Sequence, residues 1–151
     1  MPRTPASTMQ INGSCHCGNI SFSLEWPGDA AEIPARSCGC SFCLKHGGVW
    51  TSNSQASLRA RITAAGMVTR YAFGTETAHF LVCARCGVTP VVTSEIEGRL
   101  YAVVNINAFD NVERARIRIQ PASFEGEAVA SRLERRRLNW IGDVVLTEGR
   151  S

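Results

Sequence analysis

The 151-residue sequence has no apolar run approaching the ~18 residues of a membrane span, so a membrane protein built on helices is not expected. Its opening stretch, Met1 to Gln10, carries Arg3 but no apolar segment, so no secretory leader is expected and the chain reads as cytoplasmic. An even number of cysteines is also missing. Seven thiols fit a disulfide framework poorly, and cytoplasmic proteins rarely hold disulfides. No linker divides the chain, and there is no internal repeat beyond the cysteine pairs. One domain over residues 10–151 is expected, after a flexible Pro/Ser/Thr-rich stretch at 1–9. A strong charge is lacking too. The formal net charge of +3 counts cysteines as neutral, and seven thiolates on two zinc ions would bring it to about zero. Nucleic acid is therefore not an expected partner, and the sequence leaves the oligomeric state open.

What the sequence does have is thiols in close spacings. Cys15-His16-Cys17-Gly18 and Cys83-Ala84-Arg85-Cys86-Gly87 are two pairs, and Cys38, Cys40 and Cys43 form a CxCxxC segment. Two residues between thiols let both sulfurs reach one ion at ~2.3 Å, and four thiolates close a tetrahedral zinc site. A glycine after each pair permits the turn. Pairing Cys15 and Cys17 with Cys83 and Cys86 closes a long loop, at a cost of roughly 4 kcal/mol plus a constant. A structural zinc contributes ~10–16 kcal/mol, so the metal wins. His16 lies between two better ligands and reads as a non-ligand. Arg85 reads either as an offset to the site's negative charge or as a solvated side chain.

The remaining three thiols can hold a second zinc with an open fourth position, which suits a soft substrate ligand such as a thiolate. His46 is the alternative fourth ligand, closing a Cys₃His site. Gly47 and Gly48 favour the open arrangement by steering the chain away at that point. Lys45 and His46 are candidates to stand beside this site or touch substrate, with solvated loop residues as the plain alternative. Phe42, Trp50, Phe73 and Phe109 are candidates for a pocket wall or for core.

The rest of the pattern is mainly β. Ile20, Phe22, Leu24 and Trp26 alternate with Asn19, Ser21, Ser23 and Glu25, the period of a strand with one buried face. Further strands are expected at 49–52, 57–62, 67–73, 79–82, 91–96, 100–106 and 114–119, separated by Gly- and Pro-containing turns. Residues 30–35 read as a loop. One helix is expected at about 127–138, where helix formers run without Gly or Pro.

The ordered segments Gly13-Ser14-Cys15-His16-Cys17-Gly18, Cys38-Gly39-Cys40-Ser41-Phe42-Cys43 and Cys83-Ala84-Arg85-Cys86-Gly87 resemble the signature of the glutathione-dependent formaldehyde-activating enzyme family, which includes centromere protein V. The resemblance runs from Ile11 to about Asp110. It implies a β-tent fold of several short antiparallel sheets stapled by zinc. It implies a structural zinc on Cys15, Cys17, Cys83 and Cys86, and a catalytic zinc on Cys38, Cys40 and Cys43. It also implies a carbon–sulfur lyase chemistry that joins a small thiol, glutathione or another, to an aldehyde such as formaldehyde, giving an adduct of the S-hydroxymethylglutathione type. The sequence departs from the family pattern at Leu44-Lys45-His46-Gly47-Gly48, at Ala108-Phe109-Asp110 and in the tail from Phe124, which bears on the choice of thiol.

Two further readings stand beside this one. The chain could be a non-catalytic binding module with both zincs closed. A redox enzyme of the methionine sulfoxide reductase type would need a cysteine outside the metal sites, and none is spare. Arg114, Arg116 and Arg118 fall on one face of an expected strand and could bind substrate carboxylates. Arg132 to Arg137 could bind a polyanion. Both groups read more simply as solvated faces, with Glu113, Glu127 and Glu134 as partners.

Overall fold

The computed structural model describes residues 8–28, 32–124 and 126–149. The chain is mainly β, as expected, with two mixed sheets and one main helix near its C-terminus. The first sheet has the order β1 (Thr8–Ser14), β2 (Ile20–Pro27), β5 (Ser57–Ile62) and β11 (Asp143–Glu148). The second has seven strands. β10 (Ile117–Ala122), β3 (Ile33–Cys38), β4 (Val49–Thr51) and β9 (Arg99–Asn105) lead to β8 (Val91–Ile96), β7 (His79–Cys83) and β6 (Val68–Tyr71). Most pairs are antiparallel, but each sheet carries one parallel pair, β11 on β5 and β10 on β3.

Strand alternation divides the protein into two cores. Along β2, Ile20, Phe22, Leu24 and Trp26 all point inward and are buried. They meet Leu58 and Ile62 of β5 and one face of the large sheet, where Leu81, Val91, Ala102 and Val104 lie. Each such fully buried aliphatic side chain contributes ~1.5–3 kcal/mol. The neighbouring residues Val92 and Val103 point to the opposite face, because successive strand residues alternate. There they form a second core with Cys43, Trp50, Tyr101 and Trp140. Ile141 returns the chain to the first core by bridging Ala102.

The helix α2 (Val129–Asn139) lies close to the expected range and covers this second face. Several boundaries differ. Residues 1–7 of the expected flexible stretch lie outside the described residues, while Thr8 and Met9 already belong to β1. The segment expected as a loop contains the start of β3. Pro34 masks the strand pattern there, although Ile33 and Ala35 are buried in strand alternation. A short helix, α1 (Ser41–His46), forms where a loop was expected. Arg114 and Arg116 lie in a 3₁₀ turn, and only Arg118 enters β10. They therefore do not share a strand face. Arg118 pairs with Glu32, and Arg114 donates to Asn107 at 2.6 Å. No helix among the described residues is long and apolar enough to cross a membrane.

Candidate functional site

Two turns bring four thiols together. In the β1–β2 turn, the Gly18 N–H donates to the Cys15 carbonyl and the Cys15 N–H to the Ile20 carbonyl. In the β7–β8 turn, the Gly87 N–H donates to Cys83 and the Cys83 N–H to Val88 in the same pattern. Both glycines have φ near +80°, a left-handed conformation that other residues adopt poorly. Their sulfurs all lie within 4.8 Å of one another. Cys15 and Cys17 are 3.7 Å apart, and Cys17 and Cys83 3.5 Å. A tetrahedral zinc with bonds of ~2.3 Å places its sulfurs about 3.8 Å apart, so the arrangement fits that ion. The Ile20 N–H points at the Cys15 sulfur at 3.3 Å, a donor suited to a thiolate. Burial, the dominant influence, pushes the Cys15 thiol up to about 12. Burial acts in the same direction on Cys86, but backbone N–H donors at Val88 and Cys17 outweigh it and hold that thiol at about 6. His16 is not part of the cluster, and Arg85 is exposed.

The second cluster is local. β3 delivers Cys38, and α1 begins two residues later with Cys40 as its N-cap. The Cys40 sulfur accepts the Cys43 N–H at 3.3 Å, which winds the first turn and swings Cys43 back towards Cys38. All three sulfurs lie within 4.8 Å of one another. Cys43 is buried, and the Trp50 indole N–H donates to its sulfur at 3.4 Å. A hydrogen bond from Cys43 holds the Cys38 thiol down at about 5, against the opposing effect of burial. The same bond, reinforced by burial, pushes Cys43 up. Three crowded soft donors with one already inclined to ionise make a site for a thiophilic cation such as zinc.

This cluster opens onto a cavity of about 520 Å³, lined in part by Cys38, Cys40 and Cys43 themselves. Its apolar walls are Trp50, Phe73, Phe80 and Trp140. Phe42 stands behind them, stacked on His46 at 5.3 Å and packed against Phe73 and Phe80. His46 therefore faces an aromatic ring and does not join the sulfur cluster. Lys45 is exposed on α1 and does not line the cavity. Phe109 is also absent from it. That ring packs edge-on against Phe22 in the first core, on the side of the four-thiol cluster. Of the six candidates Phe42, Lys45, His46, Trp50, Phe73 and Phe109, Trp50 and Phe73 line the cavity, and Trp50 donates to a cysteine sulfur.

The cavity's polar wall comes largely from the tail beyond Phe124, the segment expected to bear on the choice of thiol. Arg36, Arg132, Arg135 and Arg136 line the cavity, together with Glu127. Glu127 accepts from Arg135 at 3.0 Å, and the Arg135 guanidinium lies 3.6 Å over the Phe124 ring. These contacts hold the Glu127 carboxyl below its ordinary range, Arg135 being the main cause. Arg136 is buried and donates to the Thr77 hydroxyl at 2.8 Å and to Ser94 at 3.1 Å. The arginine face expected to be solvated is thus turned inward at positions 132, 135 and 136. Only Arg137, paired with Glu134, keeps the expected surface role. A signal was present in α2: it has few apolar residues, yet Arg132, Arg135, Arg136 and Trp140 follow helical spacing along one side.

The sequence profile of the glutathione-dependent formaldehyde-activating enzyme family matches residues 10–125. No curated protein matches significantly. Among solved structures, the chain is similar to the crystal structure of a Rhodobacter sphaeroides protein from a structural genomics programme. The two are 28% identical and superpose with a TM-score of 0.50, over 69% of this chain and 92% of the other.

Proposed function

The chain belongs to the glutathione-dependent formaldehyde-activating enzyme family, and from that premise we propose that it is a zinc-dependent carbon–sulfur lyase acting reversibly on adducts of a small thiol with an aldehyde. One observation carries this reading. The three-thiol cluster lines the cavity of about 520 Å³, whereas none of the four other thiols lines it. In the proposed division of labour, Cys15, Cys17, Cys83 and Cys86 hold a structural zinc, and Cys38, Cys40 and Cys43 hold the catalytic one. That second zinc would supply a soft Lewis acid that keeps a substrate sulfur anionic at neutral pH.

The protein's own residues prepare the place. The Trp50 N–H on Cys43 fixes the orientation of that sulfur. Trp50, Phe73, Phe80 and Trp140 exclude water from the reacting groups. In the synthetic direction the thiolate sulfur attacks the aldehyde carbon, forming the S–C bond. The carbonyl π electrons move to oxygen, which takes up a proton from solvent. The reverse reaction breaks the S–C bond and returns the proton. No oxidant or reductant is consumed. We further propose that residues 10–149 work as one unit, because α2, beyond the family match, walls the cavity that the matched segment opens.

The test is a comparison of wild type with Cys38→Ser for turnover of formaldehyde with glutathione and with other small thiols. Loss of turnover to the uncatalysed rate, with an unchanged circular dichroism spectrum, supports the reading. Wild-type turnover in that variant would sink it.

A further inference from the structure

Among the described residues the cavity gathers more guanidiniums than carboxylates: four arginines line it with one carboxylate, Glu127, beside the three cysteine sulfurs. That carboxylate is engaged by Arg135 at 3.0 Å and approached by Arg132 at 3.9 Å. Arg36 donates to the Ser52 hydroxyl at 3.4 Å and lies within electrostatic reach of Cys38. Among the described residues Arg136 pairs with no carboxylate; its contacts with Thr77 and Ser94 use one end of the guanidinium, which also lies 4.9 Å over the Trp140 ring. Although Arg136 is only 6% exposed and Trp140 only 7%, the Arg136 Nε and the Trp140 indole nitrogen lack hydrogen-bond partners. Burying a cation without a counterion is costly, so such a group calls for a compensating charge.

We propose that Arg36, Arg135 and Arg136 form an oxyanion-recognition wall, so that the substrate held beside Cys38, Cys40 and Cys43 carries a carboxylate or phosphate group. The proposal rests on the reading of that cysteine cluster as the reactive centre. The wall joins two parts of the chain: Arg36 comes from β3, two residues before Cys38, and the others come from α2. An oxyanion entering there would meet planar N–H forks in a water-poor setting, where charge-assisted hydrogen bonds are strongest. Burial and the neighbouring Arg132 and Arg135 already hold the Arg136 guanidinium down at about 10, a cation under strain from its own surroundings. Structural pinning of α2 accounts for the contacts to Thr77 and Ser94. It does not account for Arg36, which belongs to β3 and lines the same cavity as Arg135 and Cys38. Since α2 lies beyond residues 10–125, the helix acts as a selector added to a core that carries the chemistry.

The decisive experiment measures binding to the zinc-loaded protein by calorimetry, with 3-mercaptopropionate and its uncharged analogue 3-mercaptopropionamide. The affinity ratio of acid to amide is compared between wild type, Arg36→Gln and Arg136→Gln. Comparing ratios removes any difference in sulfur acidity between the two probes. The expected result is a ratio about tenfold lower in each variant, the effect of one lost charged hydrogen bond. If burial of Arg136 prevents its variant from folding, Arg36→Gln, at a half-buried site, carries the test. A ratio unchanged from wild type overturns the proposal. Inorganic phosphate as a competitor then assigns the group: displacement of the acid at equimolar phosphate points to a phosphate-bearing substrate, and its failure to a carboxylate. Preferential acid binding without any aldehyde–thiol turnover would keep the wall and discard the lyase reading. Turnover that is the same for acid and amide thiols in all three proteins would do the reverse.

Discussion

The two cysteine clusters use the same ligand atom in nearly the same spacing, yet they sit on opposite faces of the seven-stranded sheet. Cys15 and Cys83 are built into the first core, at 1% and 0% exposure, and Cys17 and Cys83 are 66 residues apart along the chain. Cys38, Cys40 and Cys43 lie within a six-residue stretch and belong to the second core, beside the cavity. A metal at the first cluster cross-links the fold. A metal at the second cross-links almost nothing, because its ligands are already neighbours. The difference lies in the surroundings of the sulfurs: one cluster has Cys15 and Cys83 buried in the first core and Cys17 at the surface, and the other borders an incompletely filled space under α2. Spacing alone identifies a ligand set, and the surrounding packing decides whether the ion is a staple or a reagent.

The sharpest way to break the comparison is to remove one ligand from each cluster. Cys83→Ser is expected to lose the first ion and with it the cooperative fold. The ~10–16 kcal/mol a structural zinc contributes is as large as the ~5–15 kcal/mol that holds an ordinary domain together. Far-ultraviolet circular dichroism, together with metal counting by native mass spectrometry, reads both effects. A folded Cys83→Ser protein melting near the wild-type temperature would show that the first cluster is not a staple. Cys38→Ser should instead leave a folded protein that has lost one ion and its turnover. Titration with a chelator should reproduce the order without mutation. One metal per chain should leave before any loss of secondary structure, and the second only as the protein unfolds. Simultaneous loss of both would erase the distinction between the sites.

The two cysteine groupings were legible in the sequence because sulfurs that could share an ion are constrained in spacing, as at Cys83-Ala84-Arg85-Cys86. The strand at Ile20–Pro27 was legible for a similar reason, since its alternation follows directly from one buried face. β3 was hidden because Pro34 reads as a loop residue, although the strand tolerates it between Ile33 and Ala35. Arg114 to Arg116 alternated like a strand but formed a 3₁₀ turn, and alternation over so few residues does not separate the two. The cavity wall was legible only in part: the tail from Phe124 was marked as bearing on the choice of thiol, while its arginines read more simply as a solvated face. Pattern reasoning assigns arginine to solvent, since charged residues are seldom buried. Arg136 is buried because Thr77 and Ser94, both far away in sequence, receive its donors. The helical spacing of Arg132, Arg135, Arg136 and Trp140 marks one side of α2, but nothing local in the sequence identifies those distant partners.

A smaller and more selective pair of tests lies in two glycines, one beside each cluster. At Gly13 a Cβ would collide with the Phe22 ring and stand 2.7 Å from the Ala108 carbonyl oxygen. Gly13→Ala should therefore overpack the first core and cost ~1–3 kcal/mol. For a chain of this length that lowers the melting temperature by roughly 2–8 °C, with both metals retained. An unchanged melting curve would show that the region around β1 yields more easily than its packing indicates.

At Gly48 the added Cβ would lie 2.8 Å from the Trp50 indole nitrogen, the atom that donates to Cys43. Gly48→Ala should push the ring away from that sulfur, so its main effect falls on the second ion and not on the fold. Groups that hydrogen-bond a metal ligand typically change metal affinity by ~10–100-fold. A shift near the lower end, about tenfold, is expected from competition with a zinc-binding dye. Trp50→Phe, which removes the donor while keeping a ring in the wall, should produce a similar shift. If Gly48→Ala weakened the second ion while Trp50→Phe did not, the indole would be a spacer and not a donor. If neither weakened it, Cys43 would be oriented by the α1 turn alone, through its own N–H to Cys40.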